Sequence, residues 1–205
     1  MNLVTLTDPQ SKAAEAYRSL RTNLHFAMLE APLRTLLVVA PNPSSSPSLV
    51  VANLAVTLAQ IGRRVIAADA DFYTPALHLA FNAHHTPGLA DWLADLAAAS
   101  QPPLQATALP DLRLLASGTQ PVIPADLISS DRMTHAIARL GEMADLVLFN
   151  APPLGAHSEA AILASRVDGA LLVVEAGKTR RDSAQKARDI LTRARARILG
   201  VVMLS

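Results

Sequence analysis

Short, nearly continuous apolar runs alternate with longer amphipathic stretches along this chain. The runs lie at 36–40 (LLVVA), 65–68 (VIAA), 112–116, 146–149 (LVLF), 170–174 (ALLVV) and 199–204. Segments apolar at both odd and even positions predict strands of a parallel sheet covered on both faces. Helical periodicity fills the intervals at 11–29, 47–61, 88–99, 132–143, 159–165 and 180–194. Alternating β and α elements predict a doubly wound α/β fold with a mainly parallel sheet. Ligands of such folds sit at the carboxyl ends of the strands, so the residues that follow each strand carry the most information. A chain of 205 residues with no internal repeat and no long linker fits one domain, 1–205. Pro and Ser cluster at 41–48, directly after the first strand. Pro recurs at 101–110 and 120–124, which read as surface connections.

Composition narrows the function classes. Hydrophobic residues make up 51% and charged residues 17%, which suits a packed core and not a disordered tail. A net charge of +1 and 3% aromatics give no basic field and no stacking platform, so no nucleic-acid partner is expected. The absence of cysteine removes disulfides and thiolate metal sites. The six histidines show no metal-ligand spacing, and no zinc site is expected. The opening MNLVTLTDPQSK has no basic region followed by an apolar one. No apolar run approaches the roughly 20 residues of a spanning helix. The expectation is a cytoplasmic protein.

Several positions carry candidate chemistry. Asp69 and Asp71 close the second strand and could hold a cation or cap a helix entry. Ser46-Pro47 reads as a helix start, with Ser as N-cap and Pro first in the helix, and Gly62 reads as its stop. Glu15, Arg18 and Arg21 stand one helical turn apart and share a face. Trp92 is expected in the core. The stretch 180–197 is basic and amphipathic, with Ala184, Ala187, Leu191 and Ala194 on its apolar side. It reads as a surface helix, with contact to acidic lipid as the alternative.

Five segments, in this order, point to a family: EAYRSLRTNLHF at 15–26, VVANLAVTLAQIGRRVIAADADFYTPALHLAF at 50–81, GLADWL at 88–93, ASGTQPVIPADLISSDRM at 116–133 and AGKTRRDSA at 176–184. Over essentially its whole length the chain resembles the bacterial tyrosine kinases of capsule and exopolysaccharide synthesis. These are P-loop NTPase-like domains with a deviant Walker A motif of the partition-ATPase type. The resemblance implies a phosphate loop reading approximately P-G-E-G-K-S-T ahead of an A-N-L-A segment. Counted back from Asn53, it falls on Pro43, Ser44, Ser45, Ser46, Pro47, Ser48 and Leu49. The phosphate-binding lysine is then Pro47, the glycines are Ser44 and Ser46, and the final Thr is Leu49. The Mg²⁺-binding Ser survives as Ser48. Asp69 and Asp71 match the second, variant Walker motif, but the basic pair that follows it is Tyr73-Thr74 here. A family Asp is replaced by Asn150, another by Glu159, and the adenine-reading Asn by Leu204.

The physical consequence of these changes is consistent in sign. Proline supplies neither a charge nor an N–H to phosphate. Serine adopts the glycine conformations less readily. A neutral amide serves Mg²⁺ far less well than a carboxylate. At about 1.5–3 kcal/mol per charge-assisted hydrogen bond, the lost lysine and N–H remove roughly 3–6 kcal/mol, or about 10²–10⁴ in affinity. The leading expectation is a non-catalytic, pseudokinase-type subunit that needs no cofactor. In that reading Asp69, Asp71 and Asn150 are vestigial, and Ser48 and Asp71 are weak metal candidates at most. The alternatives are an active tyrosine autokinase using ATP and Mg²⁺, and a partition-type positioning ATPase. The resemblance further implies that residues 1–30 form an oligomerisation segment with Glu15, Arg18 and Arg21 at the subunit contact. The partners would be further copies or an active homologue, and a membrane polysaccharide co-polymerase. The chain would then work at the inner face of the cell membrane. The family's phosphorylated tyrosines lie in a C-terminal tail; these 205 residues hold only Tyr17 and Tyr73, so no tail autophosphorylation is expected within them.

Overall fold

The computed structural model describes residues 2–43, 46–95 and 101–205. Among them, seven strands form one sheet: β1 (Thr35–Val39), β2 (Val65–Asp69), β3 (Gln105–Ala106), β4 (Leu112–Leu115), β5 (Leu146–Asn150), β6 (Gly169–Glu175) and β7 (Ile198–Leu204). Their order across the sheet is β3-β4-β2-β5-β1-β6-β7, parallel throughout except for the β3–β4 pair. The strands expected from the apolar runs are all present, shifted by a residue or two. β3 was not expected. Two residues are too few to show a period.

Helices cover both faces. One layer holds α1 (Val4–Thr7), α2 (Lys12–Glu30), α3 (Pro47–Ala59) and α4 (Leu77–Ala80). The other holds α5 (Leu89–Ala94), α6 (Pro124–Ser129), α7 (Asp131–Met143), α8 (Glu159–Ala164) and α9 (Arg181–Arg193). Apart from the irregular start of β7, strand side chains divide by parity. Leu37 and Val39 of β1 enter the second layer, Leu36 and Val38 the first. That division is the reason the strands read as unbroken apolar runs. α3 is buried at almost every position, whereas α7 and α9 bury one stripe. α1, α4 and α6 escape a periodicity reading because each has six residues or fewer. The expected helix at 88–99 ends at Ala94, and 96–100 lie outside the described residues. Trp92 is half-buried and packs against the second layer's core. Among the described residues no helix is long and apolar enough to cross a membrane.

Local stops are built as the sequence implies. Gly62 sits at φ +77° and closes α3, with Arg63 N–H donating to the Leu58 carbonyl and Gly62 N–H to that of Ala59. Ser46 holds the N-cap position of α3 and Pro47 opens the helix, but the Ser46 side chain makes no capping bond. Two aspartates register the amino ends of the strands. Asp168 Oδ2 accepts from Arg34 N–H (2.8 Å), Thr35 N–H (2.9 Å) and Thr35 Oγ1 (2.9 Å), tying the start of β1 to β6. Asp145 accepts from the backbone N–H and the guanidinium of Arg64, tying β2 to β5.

Removing the Asp168 carboxylate leaves two strand-start N–H groups without their acceptor. Asp168→Ala is expected to lower stability by roughly 1–3 kcal/mol. Asp182→Ala, on exposed α9, should stay within about 0.5 kcal/mol. Urea denaturation of both variants measures the difference.

Candidate functional site

The corner of interest lies where β1, β2 and β5 end. Asp69 and Asn150 are register partners on the parallel pair β2–β5. By strand alternation both side chains fall on the face covered by α3, because Val65 and Ala67 of β2 and Leu146 and Leu148 of β5 belong to that layer. The loop after β1 is held against the loop after β5 by Leu154 N–H donating to the Ala40 carbonyl and Gly155 N–H to that of Pro41, both at 3.0 Å. A Cβ on Gly155 would stand 2.8 Å from the Pro41 oxygen, so this close approach requires glycine. Pro47 and Ser48, at the start of α3, are buried, and Leu49 is half-buried. Ser44 and Ser45 lie outside the described residues.

Asp69 is wholly buried and accepts from every side. Its Oδ1 takes the Asn150 Nδ2–H at 2.8 Å and the Asp71 N–H at 3.2 Å. Its Oδ2 takes the N–H groups of Ala76 and Leu77, each at 3.0 Å, at the entry to α4. Burial pushes its pKa up to about 6, against the lowering effect of these donors. Asp71, also buried, folds a tight turn: its Oδ1 accepts from Tyr73 N–H (3.0 Å) and Thr74 N–H (2.9 Å), and its Oδ2 from Thr74 Oγ1 (2.9 Å). The two acids are served by separate donor sets. Both aspartates act as caps of the β2–α4 connection.

Tyr73 extends the network. Its ring stacks on His157 with centroids 3.7 Å apart, and its hydroxyl donates to Oε1 of Glu159 at 2.7 Å. That bond raises the Tyr73 pKa to about 12. Glu159 is 4% exposed at the start of α8. The sequence pointed to Tyr73 and Glu159 separately, while His157 carried no signal. Nothing in one sequence announces a ring that stacks on a residue 84 positions away. The Oδ1 of Asn150 is buried and has no hydrogen-bond partner among the described residues. Among the described residues no group of three or more His, Asp or Glu side chains is arranged to hold a metal ion.

The remaining candidates lie apart from this corner. Leu204 ends β7 and packs against the first layer's core. Glu15, Arg18 and Arg21 lie on α2, but they are not a free charged stripe. Arg18 binds Glu15 at 2.8 Å and donates to the Pro9 carbonyl, and Arg21 donates to the Thr57 carbonyl of α3 at 2.8 Å. Arg21 is therefore engaged by the chain's own fold. Asn53 is fully buried: its Oδ1 accepts from the N–H and the hydroxyl of Thr5, joining α1 to α3.

Tyrosine-protein kinase YwqD of Bacillus subtilis is 35% identical over 202 residues, which span 98% of this chain and 85% of that protein. The chain belongs to the bacterial tyrosine-protein kinases. Wzc of Salmonella typhimurium, another tyrosine-protein kinase, is 34% identical over 174 residues, but these are 24% of its length. The kinase domain of the Escherichia coli tyrosine kinase ETK superposes with a TM-score of 0.93 at 28% identity, covering 100% of this chain and 80% of that one. The septum site-determining protein MinD of Pyrococcus horikoshii, solved with Mg-ADP, has a TM-score of 0.67 at 24% identity over 83% of this chain and 69% of that one, and shares the fold. No family model matches the chain. In this kinase-family frame, Asp69, Asp71, Asn150, Pro47 and Ser48 stand at the strand ends where an α/β fold of this type takes its ligand.

A carboxyl raised from 3.8 to about 6 by folding binds a proton more tightly in the folded state. Its contribution to stability therefore falls as pH rises through that window, by up to about 1.4 kcal/mol per pH unit. Asp69→Asn is expected to abolish this slope. It should also lower stability at every pH, because an amide NH₂ would face the N–H groups of Ala76 and Leu77. Urea midpoints of both proteins between pH 4 and 7 test the pair of effects.

Proposed function

We propose that this chain is a non-catalytic tyrosine-kinase-like subunit, a scaffold in the control of capsular or exopolysaccharide synthesis and export. The observation that carries the reading is the Asn150 amide donating to Asp69 at 2.8 Å. Together with the N–H groups of Ala76 and Leu77, it leaves both carboxylate oxygens on neutral protein donors. Mg²⁺ requires oxygen ligands close to an octahedron, and the other candidate ligands here are Ser48 and Asp71, whose carboxylate already accepts from Tyr73 N–H, Thr74 N–H and the Thr74 hydroxyl. The first residue of α3 is a proline, which offers phosphate neither charge nor N–H. These residues do not fit ATP·Mg²⁺. A second reading, an active autokinase, draws on the retention of Ser48, Asp69 and Asp71 at one corner.

In the proposed role the chain works through contacts. Residues 1–30 supply the self-association surface, either to further copies or to an active homologue. A membrane polysaccharide co-polymerase is the expected anchor, which would hold the subunit at the inner face of the membrane. Arg18, half-exposed and paired among the described residues only within its own helix and to Pro9, is the better placed of the two arginines to reach a neighbour.

Calorimetric titration with ATP·Mg²⁺ is expected to give no binding at physiological concentration, about 10²–10⁴ weaker than in a relative that keeps the lysine and the loop N–H. Micromolar affinity would overturn the proposal. Pro47→Lys alone should not restore turnover, since Asn150 and the serines remain.

Sedimentation velocity across a concentration series, alone and mixed with a catalytic homologue, should reveal salt-sensitive association that ATP does not alter. Arg18→Glu should weaken it with the fold unchanged. Arg21→Glu should also lower stability, through the lost bond to Thr57. A strict monomer in both settings removes the scaffold reading.

A further inference from the structure

The two edges of the sheet are built differently. β3, at one edge, has two residues. A very short strand is an ordinary way to blunt an edge against unwanted pairing. β7, at the other edge, has seven residues, ILGVVML, with no charge and no proline. Among the described residues it pairs with β6 alone, from Ala170↔Ile198 to Glu175↔Leu204. Its outer row of N–H and C=O groups is a template for one more strand. Val201 is 59% exposed and Met203 71%. Their partners on β6 are Leu172 and Val174, which belong to the core layer that α9 covers. Val201 and Met203 therefore stand on the α9 face of the sheet, beyond the cover the helix provides. A Cβ added at Gly200, the residue before Val201, would meet nothing within 4 Å.

The charge beside this edge is as lopsided as its shape. Positions 178–197 hold eight basic and two acidic side chains, a net +6 in a chain whose total is +1. Lys178, Arg180, Arg188 and Arg197 have ion-pair partners. Arg181, Lys186, Arg193 and Arg195 are exposed and have none among the described residues.

We propose that β7 receives an extended acidic segment of a partner protein as an additional strand. Its apolar side chains lie over Val201 and Met203, and its flanking carboxylates meet the basic residues on and after α9. Backbone pairing supplies the affinity and the charge selects the partner. A second copy is a poor occupant, because pairing two β7 strands brings two such basic segments together. A lipid surface is a poorer one, because it offers no partners to the open N–H and C=O groups.

The test uses the whole chain and three labelled peptides in fluorescence anisotropy. Each has a core of alternating Val and Thr. One is flanked by Glu pairs, one by Lys pairs, and the third repeats the Glu form with alternate backbone nitrogens methylated. The Glu-flanked peptide is expected to bind, to weaken several-fold between about 0.05 and 0.5 M salt, and to protect the amides of 198–204 from hydrogen exchange. The Lys-flanked and methylated peptides should bind about tenfold more weakly or not at all. Val201→Lys combined with Met203→Lys should abolish binding without changing thermal unfolding. The proposal is overturned if the Glu-flanked peptide fails to bind at millimolar concentration, or if the Lys-flanked or methylated forms bind equally well. It is also overturned if phosphatidylglycerol vesicles bind α9 while 198–204 exchange as before, or if sedimentation shows a β7-dependent dimer that the peptide does not disperse.

Discussion

A carboxylate shut away from water must find all its hydrogen bonds within the protein, and the end of β2 is organised around that requirement at Asp69. One oxygen draws in Asn150 from β5, the neighbouring strand. The other draws in the N–H groups of Ala76 and Leu77, which aligns the entry to α4. Asp71 then satisfies the turn between, and the turn delivers Tyr73 to His157 and Glu159. The strand end, the short helix after it and the start of α8 are thus linked through one chain of polar contacts. Each link is an acceptor that would be unsatisfied without the next.

The chemistry of that chain of contacts bears on the proposed function. Asp69, Asp71 and Glu159 all receive neutral donors: amide, backbone N–H and hydroxyl. A triphosphate would bring further negative charge to a corner where the first residue of α3 is proline. An Asp at position 150 would set a second carboxylate beside Asp69, where Asn150 gives a hydrogen bond in place of like-charge repulsion. Under the proposed reading, the corner has exchanged the electrostatics of a cation-assisted site for a self-satisfied network.

The rest of the molecule keeps the framework in place by means independent of that corner. Asp145 and Asp168 register the strands at their amino ends. Asn53 and the Arg21–Thr57 bond bind the N-terminal helices to α3. A domain held in this way can lose its ligand chemistry and keep its shape. Under the proposed reading its outward surfaces, on α2 and along β7, are the features through which it acts.

The strands and long helices were legible in the sequence because both are repetitive. Buried parallel strands show as unbroken apolar runs, and α2, α7 and α9 show as stripes of period 3.6. The family, the Pro47 loop, and the positions of Asp69, Asp71 and Asn150 were likewise readable in order and spacing. The short helices α1, α4 and α6 and the two-residue β3 were not, because a period needs more than one or two turns to appear. Nor was the direction of any hydrogen bond. That Asn150 turns its amide to Asp69, that Tyr73 lies on His157, and that Arg21 faces its own α3 depend on residues 81, 84 and 36 positions apart. Local sequence sets which groups each element carries. Only the packing of one element on another determines which of those groups meet, because burial leaves each polar atom few partners within reach.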